Sequence, residues 1–153
     1  MSPSPESYYL ATAGQVPVLP VLETSIDAHT CVVGGGFAGL NTALGLVERG
    51  VKDVVLLEAH KPGFGASGRN GGFVFGGFSL GEESLLRDLG VEKARALRAG
   101  TQEGIELIRE RIEKHGIDCD AVNHGVLLAN WFKDPTVLRG RQALLSEAYG
   151  QDL

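Results

Sequence analysis

Hydrophobic residues enter this chain in short blocks separated by glycine. Thr30 leads into Cys31-Val32-Val33, an apolar run that halts at three consecutive glycines, Gly34 to Gly36. A run of that length without alternation predicts a buried parallel strand entering a tight turn. Phe37, Leu40, Leu44 and Val47 then recur at helical spacing and Gly50 follows as a stop, the pattern of an amphipathic helix. Val54-Val55-Leu56-Leu57 is a second continuous apolar run and predicts a second buried strand. Strand, helix and strand in that order open a βαβ unit, the building block of the α/β class.

The stretch from Gly63 to Gly77 has no hydrophobic period, and it is too long to be a mere connector. Beyond it Leu97, Thr101, Ile105, Ile108 and Ile112 fall on one helical face. Glu106/Arg109 and Glu110/Lys114 are spaced as exposed pairs, and Gly116 ends the helix. Residues 118–132 read as a hairpin about Asn123, His124 and Gly125. Asp134 and Pro135 suit the N-cap and first position of a last helix through Leu138, Leu144 and Leu145. The expected parts are an extended, proline-containing arm over 1–29, the βαβ unit with its glycine-rich loop over 30–80, a helical segment over 81–116, and a hairpin with a helix over 117–153. Tyr8 and Tyr9 are candidate anchors for the arm.

Composition narrows what such a chain can do. The 153 residues, 43% hydrophobic and 22% charged, fit one globular domain. Glycine stands out at 22 residues, against roughly 11 at average usage, and most of the excess lies between Gly34 and Gly81. A net charge of −5 without any Lys/Arg run argues against nucleic acid or an anionic membrane as partner and favours a small molecule. No stretch suits a transmembrane helix, and the start lacks the basic-then-apolar order of a signal peptide, so a cytoplasmic protein is expected. Cys31 and Cys119 are too few for a disulfide framework and are expected to be buried thiols. His29, His60, His115 and His124 share no metal-binding spacing and adjoin no nucleophile. Neither a metal site nor a catalytic side chain is expected.

Gly34-Gly35-Gly36-Phe37-Ala38-Gly39 satisfies G-x-G-x-x-G. The first glycine permits the strand-to-helix turn, the second lets phosphates approach the backbone, and the third lets the helix pack on the strand. Free amides at the helix start then meet a pyrophosphate. The six-residue pattern alone is weak, and a glycine-rich turn in an ordinary α/β domain would also produce it. Its context is specific: Glu58 ends the second strand 19 residues past Gly39, where an acid accepts hydrogen bonds from an adenosine ribose. That charge would repel the extra phosphate of NADP. Gly63 to Gly72 separates the remaining options, because a simple NAD domain has no use for so long a loop, whereas FAD presents a longer target. Its bare amides, hydroxyl, carboxamide and guanidinium can meet phosphate oxygens and a polar ring edge. A flexible surface loop is the plainer alternative.

Val32-Val33-Gly34-Gly35-Gly36, Leu57-Glu58-Ala59 and Gly65-Ala66-Ser67-Gly68-Arg69-Asn70-Gly71-Gly72 resemble the D-amino-acid-oxidase-like FAD-dependent oxidoreductases. The resemblance runs from about Tyr8 to the end and includes Ile108-Arg109-Glu110-Arg111 and the segment from Asp118-Cys119-Asp120 to Gly125-Val126. It implies a Rossmann-type FAD-binding βαβ opening, plus helices and the start of an antiparallel substrate-domain sheet. It also implies the N-terminal part of an enzyme that oxidises a primary or secondary amine, of amino-acid or γ-glutamyl polyamine type, to an imine, with dioxygen reoxidising the flavin. Carried over by residue, Gly34, Gly36, Phe37, Ala38 and Gly39 would form the pyrophosphate turn. Glu58 and Ala59 would meet the adenosine end, and Ser67, Arg69, Asn70 and Gly71 would contact phosphate or flavin. Members of this family are much longer. The chain is therefore expected to be incomplete alone, as a truncated product, a fragment or half of a split protein, with a C-terminal portion or second chain as its partner. A non-catalytic or vestigial nucleotide-binding module and an NAD-dependent dehydrogenase fragment are the alternatives.

Overall fold

β1 (Thr30–Val33) and β2 (Val54–Leu57) pair in parallel, with Thr30 opposite Val54 and Val33 opposite Leu57, in a computed structural model that describes residues 7–14 and 18–151. The ladder is extended at both ends. The amides of His29 and Thr30 donate to the Asp53 carbonyl at 3.1 and 3.2 Å, and the Gly34 amide donates to the Leu57 carbonyl at 2.7 Å. Asp53 sits at φ 53°, a left-handed conformation that aspartate tolerates better than most residues. The α/β opening with a small parallel sheet is thus present. These residues belong to the first of two compact units, the chain dividing between them after Phe73.

Between the strands runs α2 (Phe37–Glu48), after the short N-terminal α1 (Tyr8–Thr12). A side chain at Gly39 would overlap the Gly34 carbonyl oxygen and lie 3.5 Å from Val32 Cγ1, so α2 is seated directly on β1. That close approach turns Gly39, Ala43, Gly45 and Leu46 inward. Phe37, Leu40 and Val47 of the expected apolar stripe are instead 60%, 42% and 56% exposed, and only Leu44 is half-buried. Small residues win the contact face because bulk there would hold the helix off the strand.

The strands are less buried than their sequence predicts. Val32 faces α2, so Cys31 and Val33 point the other way and are exposed, while β2 is half-buried throughout. One helix covers only one face of a sheet, and a strand written for burial on both faces needs a second layer. Part of the expected extended arm is helical: the Ser7 hydroxyl accepts from the Leu10 amide at 3.2 Å and caps α1. Pro3, Pro5 and Pro17 lie outside the described residues. Of the two candidate anchors, Tyr9 approaches the loop, its hydroxyl 2.6 Å from where a Gly72 side chain would begin.

The second unit is helical. Gly90, at φ 79°, divides α3 (Glu82–Leu89) from α4 (Val91–His115), and Gly116 ends α4 in the left-handed conformation, as its position predicts. α5 (Thr136–Tyr149) follows. Among the described residues Leu85, Ala94 and Leu145 are buried apolar side chains. Thr101, Ile105 and Ile112 of the α4 stripe are half-buried, whereas Leu97 and Ile108 stay exposed. The Glu106 and Arg109 pair forms at 2.6 Å on the surface, and a second ion pair, Arg98 with Glu82, ties α4 to α3. Pro135, rather than the expected Asp134, is the N-cap of α5, and the helix begins one residue later than the sequence indicates; Asp134 lies just before it and accepts the Thr136 amide at 2.9 Å.

No strand forms over residues 118–132, where a hairpin was expected. Two strands alone are marginal without a third or a covering helix, and here Leu127 and Trp131 are each 93% exposed. The turn residue Asn123 is held by Arg109 Nη2 at 2.6 Å instead. Cys119 in this segment is exposed rather than buried. Among the described residues no helix is long and apolar enough to cross a membrane, and no group of His, Cys, Asp or Glu could hold a metal.

Candidate functional site

The turn that leaves β1 takes Gly34 to φ 100°, a backbone region that favours glycine. Gly35, buried behind it, donates its amide to Glu58 Oε2 at 2.6 Å, and the His60 amide donates to Glu58 Oε1 at 2.9 Å. Two amides on one carboxylate stabilise its ionised form. The Gly35 amide is the chief cause, and the His60 amide the next, that holds the Glu58 carboxyl below the usual carboxylate range. The glycine-rich loop is fastened to the same turn, because the Gly63 amide donates to the Gly35 carbonyl at 2.8 Å.

α2 starts immediately after, and amides of its first turn have no acceptor within the helix. One of them, from Phe37, donates to Ser67 Oγ at 2.9 Å. A side chain at Gly36 would begin 2.9 Å from that hydroxyl, so the bare backbone demanded by the motif also admits Ser67 to the helix start. Ala38 is exposed beside it, and Gly39 is pressed against Gly34.

Within the loop, Ala66–Gly68 forms one 3-10 turn. The Arg69 and Asn70 side chains hydrogen-bond to the loop's own backbone. Asn70 Nδ2 donates to the Ser67 carbonyl and Asn70 Oδ1 accepts the Gly72 amide, both at 2.8 Å. Arg69 Nη2 donates to the Phe64 carbonyl at 2.8 Å, and its guanidinium lies 5.4 Å from the Phe64 ring centre. The Phe64 ring stands 4.2 Å from that of His60. A side chain at Gly68 would overlap the Gly63 carbonyl oxygen. The loop is thus held by contacts within itself and, through Gly63, to the turn at Gly35.

Gly34, Gly36, Phe37, Glu58 and Ser67 thus converge on one junction. Ala38 and Gly39 extend it along α2, Ala59 leaves it exposed at the end of β2, and Arg69, Asn70 and Gly71 lie in the loop beside it. Sequence reasoning missed Gly35, which occupies a free position of the motif yet supplies the Glu58 contact; the unbroken run of three glycines was its only signal. It also missed Phe64 and His60, whose pairing has no periodic signature. Helix-start amides beside glycines that carry no side chain suit a diphosphate, and an ionised Glu58 suits the hydroxyls of a ribose. These residues fit a dinucleotide cofactor.

Residues 29–152 match the family described as FAD dependent oxidoreductase. The chain belongs to this family. FAD is accordingly its cofactor, which sets aside an NAD-dependent dehydrogenase. The chain is 44% identical over 129 residues to gamma-glutamylputrescine oxidoreductase of Escherichia coli, covering 84% of this chain and 30% of that protein. It is 44% identical over 114 residues to the probable oxidoreductase OrdL of Haemophilus influenzae, covering 74% of this chain and 26% of the relative. A putative Rieske iron-sulfur protein, YhfW of Bacillus subtilis, is 28% identical over 125 residues, or 82% of this chain and 24% of its own. This family member therefore spans under a third of the length of the curated relatives it matches. No solved structure matches it significantly.

Proposed function

We propose that this family member supplies the N-terminal, FAD-binding portion of an enzyme that oxidises a primary or secondary amine to an imine, with dioxygen reoxidising the flavin. The observation that carries the reading is the junction where the Gly35 amide meets Glu58 Oε2 at 2.6 Å and the Phe37 amide meets Ser67 Oγ at 2.9 Å. Gly34, Gly36, Phe37, Ala38 and Gly39 would surround the pyrophosphate, and the Phe37 amide could exchange its serine partner for a phosphate oxygen. Glu58 and Ala59 would take the adenosine ribose. Ser67, Arg69, Asn70 and Gly71 would present the loop to phosphate or flavin.

When bound, FAD supplies the acceptor for the hydride equivalent leaving the carbon beside the amine. This chain's own work is to bind and orient that acceptor; the amine contacts would come largely from the remainder of the enzyme. Likeness to gamma-glutamylputrescine oxidoreductase supports a γ-glutamyl polyamine or related amino compound as the small-molecule substrate. The open segment with Leu127 and Trp131 would pair as an antiparallel sheet once the remaining portion is present. A cytoplasmic location would keep the exposed Cys31 and Cys119 reduced.

The FAD-loaded enzyme, this chain together with the remaining portion proposed for it, mixed anaerobically with a γ-glutamylated diamine tests this reading. Loss of the flavin absorbance, restored by air, is the expected result. Retained absorbance would favour a second reading, cofactor binding without turnover, which the exposed apolar residues of the second unit also suit. Binding of NADH in place of FAD would overturn both.

A further inference from the structure

We propose that Arg69 is a positioning residue, which closes the glycine-rich loop on Phe64 and thereby sets the Ser67 hydroxyl on the first amide of α2. The proposal rests on the reading that this junction receives the cofactor, and it concerns how the protein prepares the junction beforehand.

A serine hydroxyl rotates freely, and holding it on an amide 30 residues away in sequence requires its backbone to be fixed. Four contacts fix it. The Gly63 amide is bonded to Gly35, which secures the loop's entry. Gly68 touches Gly63 so closely that a side chain at Gly68 would overlap the Gly63 carbonyl oxygen. Asn70 spans from the Ser67 carbonyl to the Gly72 amide. Arg69 completes the set: its guanidinium reaches back five residues to the Phe64 carbonyl at 2.8 Å and lies over the Phe64 ring.

A planar guanidinium can donate in its plane and stack across its face at once, which an ammonium cannot. The ring is itself held against His60, next to the Glu58 end of β2. Arg69 thus joins the two sides of the junction, the ribose acid through His60 and Phe64 and the helix start through Ser67. A loop rich in glycine loses much backbone freedom on ordering, and a cofactor that met it unformed would bear that cost. Arg69 places the cost on folding instead.

Amide exchange at Phe37, followed by NMR on the full chain without cofactor, reads the Ser67 contact. Arg69→Met should raise it about fivefold, the scale of one lost hydrogen bond. Phe64→Leu, which removes the ring but keeps the backbone carbonyl, should raise it less, and the double variant should add nothing to Arg69→Met, which already removes both contacts. The Gly34 amide, bonded to Leu57 in the sheet, is the control. Phe37 exchange that does not change in Arg69→Met, or that rises only together with Gly34 exchange, overturns the proposal.

An FAD titration supplies the second readout. Arg69→Met should weaken binding by about fivefold, and Phe64→Leu by less. If Arg69 acted only by its charge on a phosphate, Arg69→Lys would keep full affinity and Phe64→Leu would leave it unchanged, and that pattern also overturns the proposal. Should the unaltered chain take up no FAD while the exchange pattern holds, the cofactor reading of the junction fails and the positioning role of Arg69 stands.

Discussion

Glu58 reports on the junction through a single proton. Its carboxylate accepts amides from Gly35 and His60 and is held below the usual carboxylate range by them, Gly35 first. A carboxyl whose folded value is depressed adds stability above its unfolded value and loses it as pH falls through the folded one. The Gly35 contact should therefore persist through mildly acidic pH and release only below the ordinary titration of glutamate. The Gly35 amide proton shift, followed by NMR, should titrate with a midpoint below about 4.3, the unperturbed glutamate value; a midpoint at or above it would contradict the two-amide geometry. Glu58 itself was legible in the sequence, from its distance beyond Gly39 and its place at a strand end. Gly35 was not, because the motif leaves that position free and only the folded turn reveals which amide faces the acid.

At the scale of elements, glycine decides where helices sit and stop. Gly39 lets α2 rest on β1, and a methyl group there would overlap the Gly34 carbonyl. Gly39→Ala should destabilise the first unit by about 1–3 kcal/mol, the usual penalty for overpacking, measured by urea denaturation. An unchanged midpoint would mean that the helix is not seated so closely. Gly116 closes α4 at φ 57°, where an L-residue costs about 1–2 kcal/mol, and Gly116→Ala should lower the stability of the second unit by that amount.

The sequence made these boundaries readable because start and stop residues act locally: Gly50, Gly116 and Asp134 all serve near where the pattern puts them. It misjudged the contact face of α2, because the spacing of Phe37, Leu40, Leu44 and Val47 records a hydrophobic stripe without recording what covers it. The hairpin about Asn123 failed for a related reason. Alternation shows that a segment can form strands, while pairing depends on partners that lie elsewhere.

The first unit carries every residue proposed for the cofactor, and the second carries α3, α4, α5 and an open apolar segment. Membership of the FAD-dependent oxidoreductase family covers both, since the match runs over residues 29–152. The cofactor could be read from the sequence because a dinucleotide imposes fixed demands on backbone over a few dozen residues. The substrate could not be read in the same way, because this chain spans under a third of the length of its curated relatives.

On the proposed reading FAD is received at the turn from Gly34 to Gly39. A fluorescence titration of FAD against the chain and its Gly36→Val variant tests it most directly. Saturable quenching by the unaltered chain, abolished in the variant because the valine displaces both Ser67 and the pyrophosphate, is the predicted result. Equal affinity in the two proteins would contradict the account.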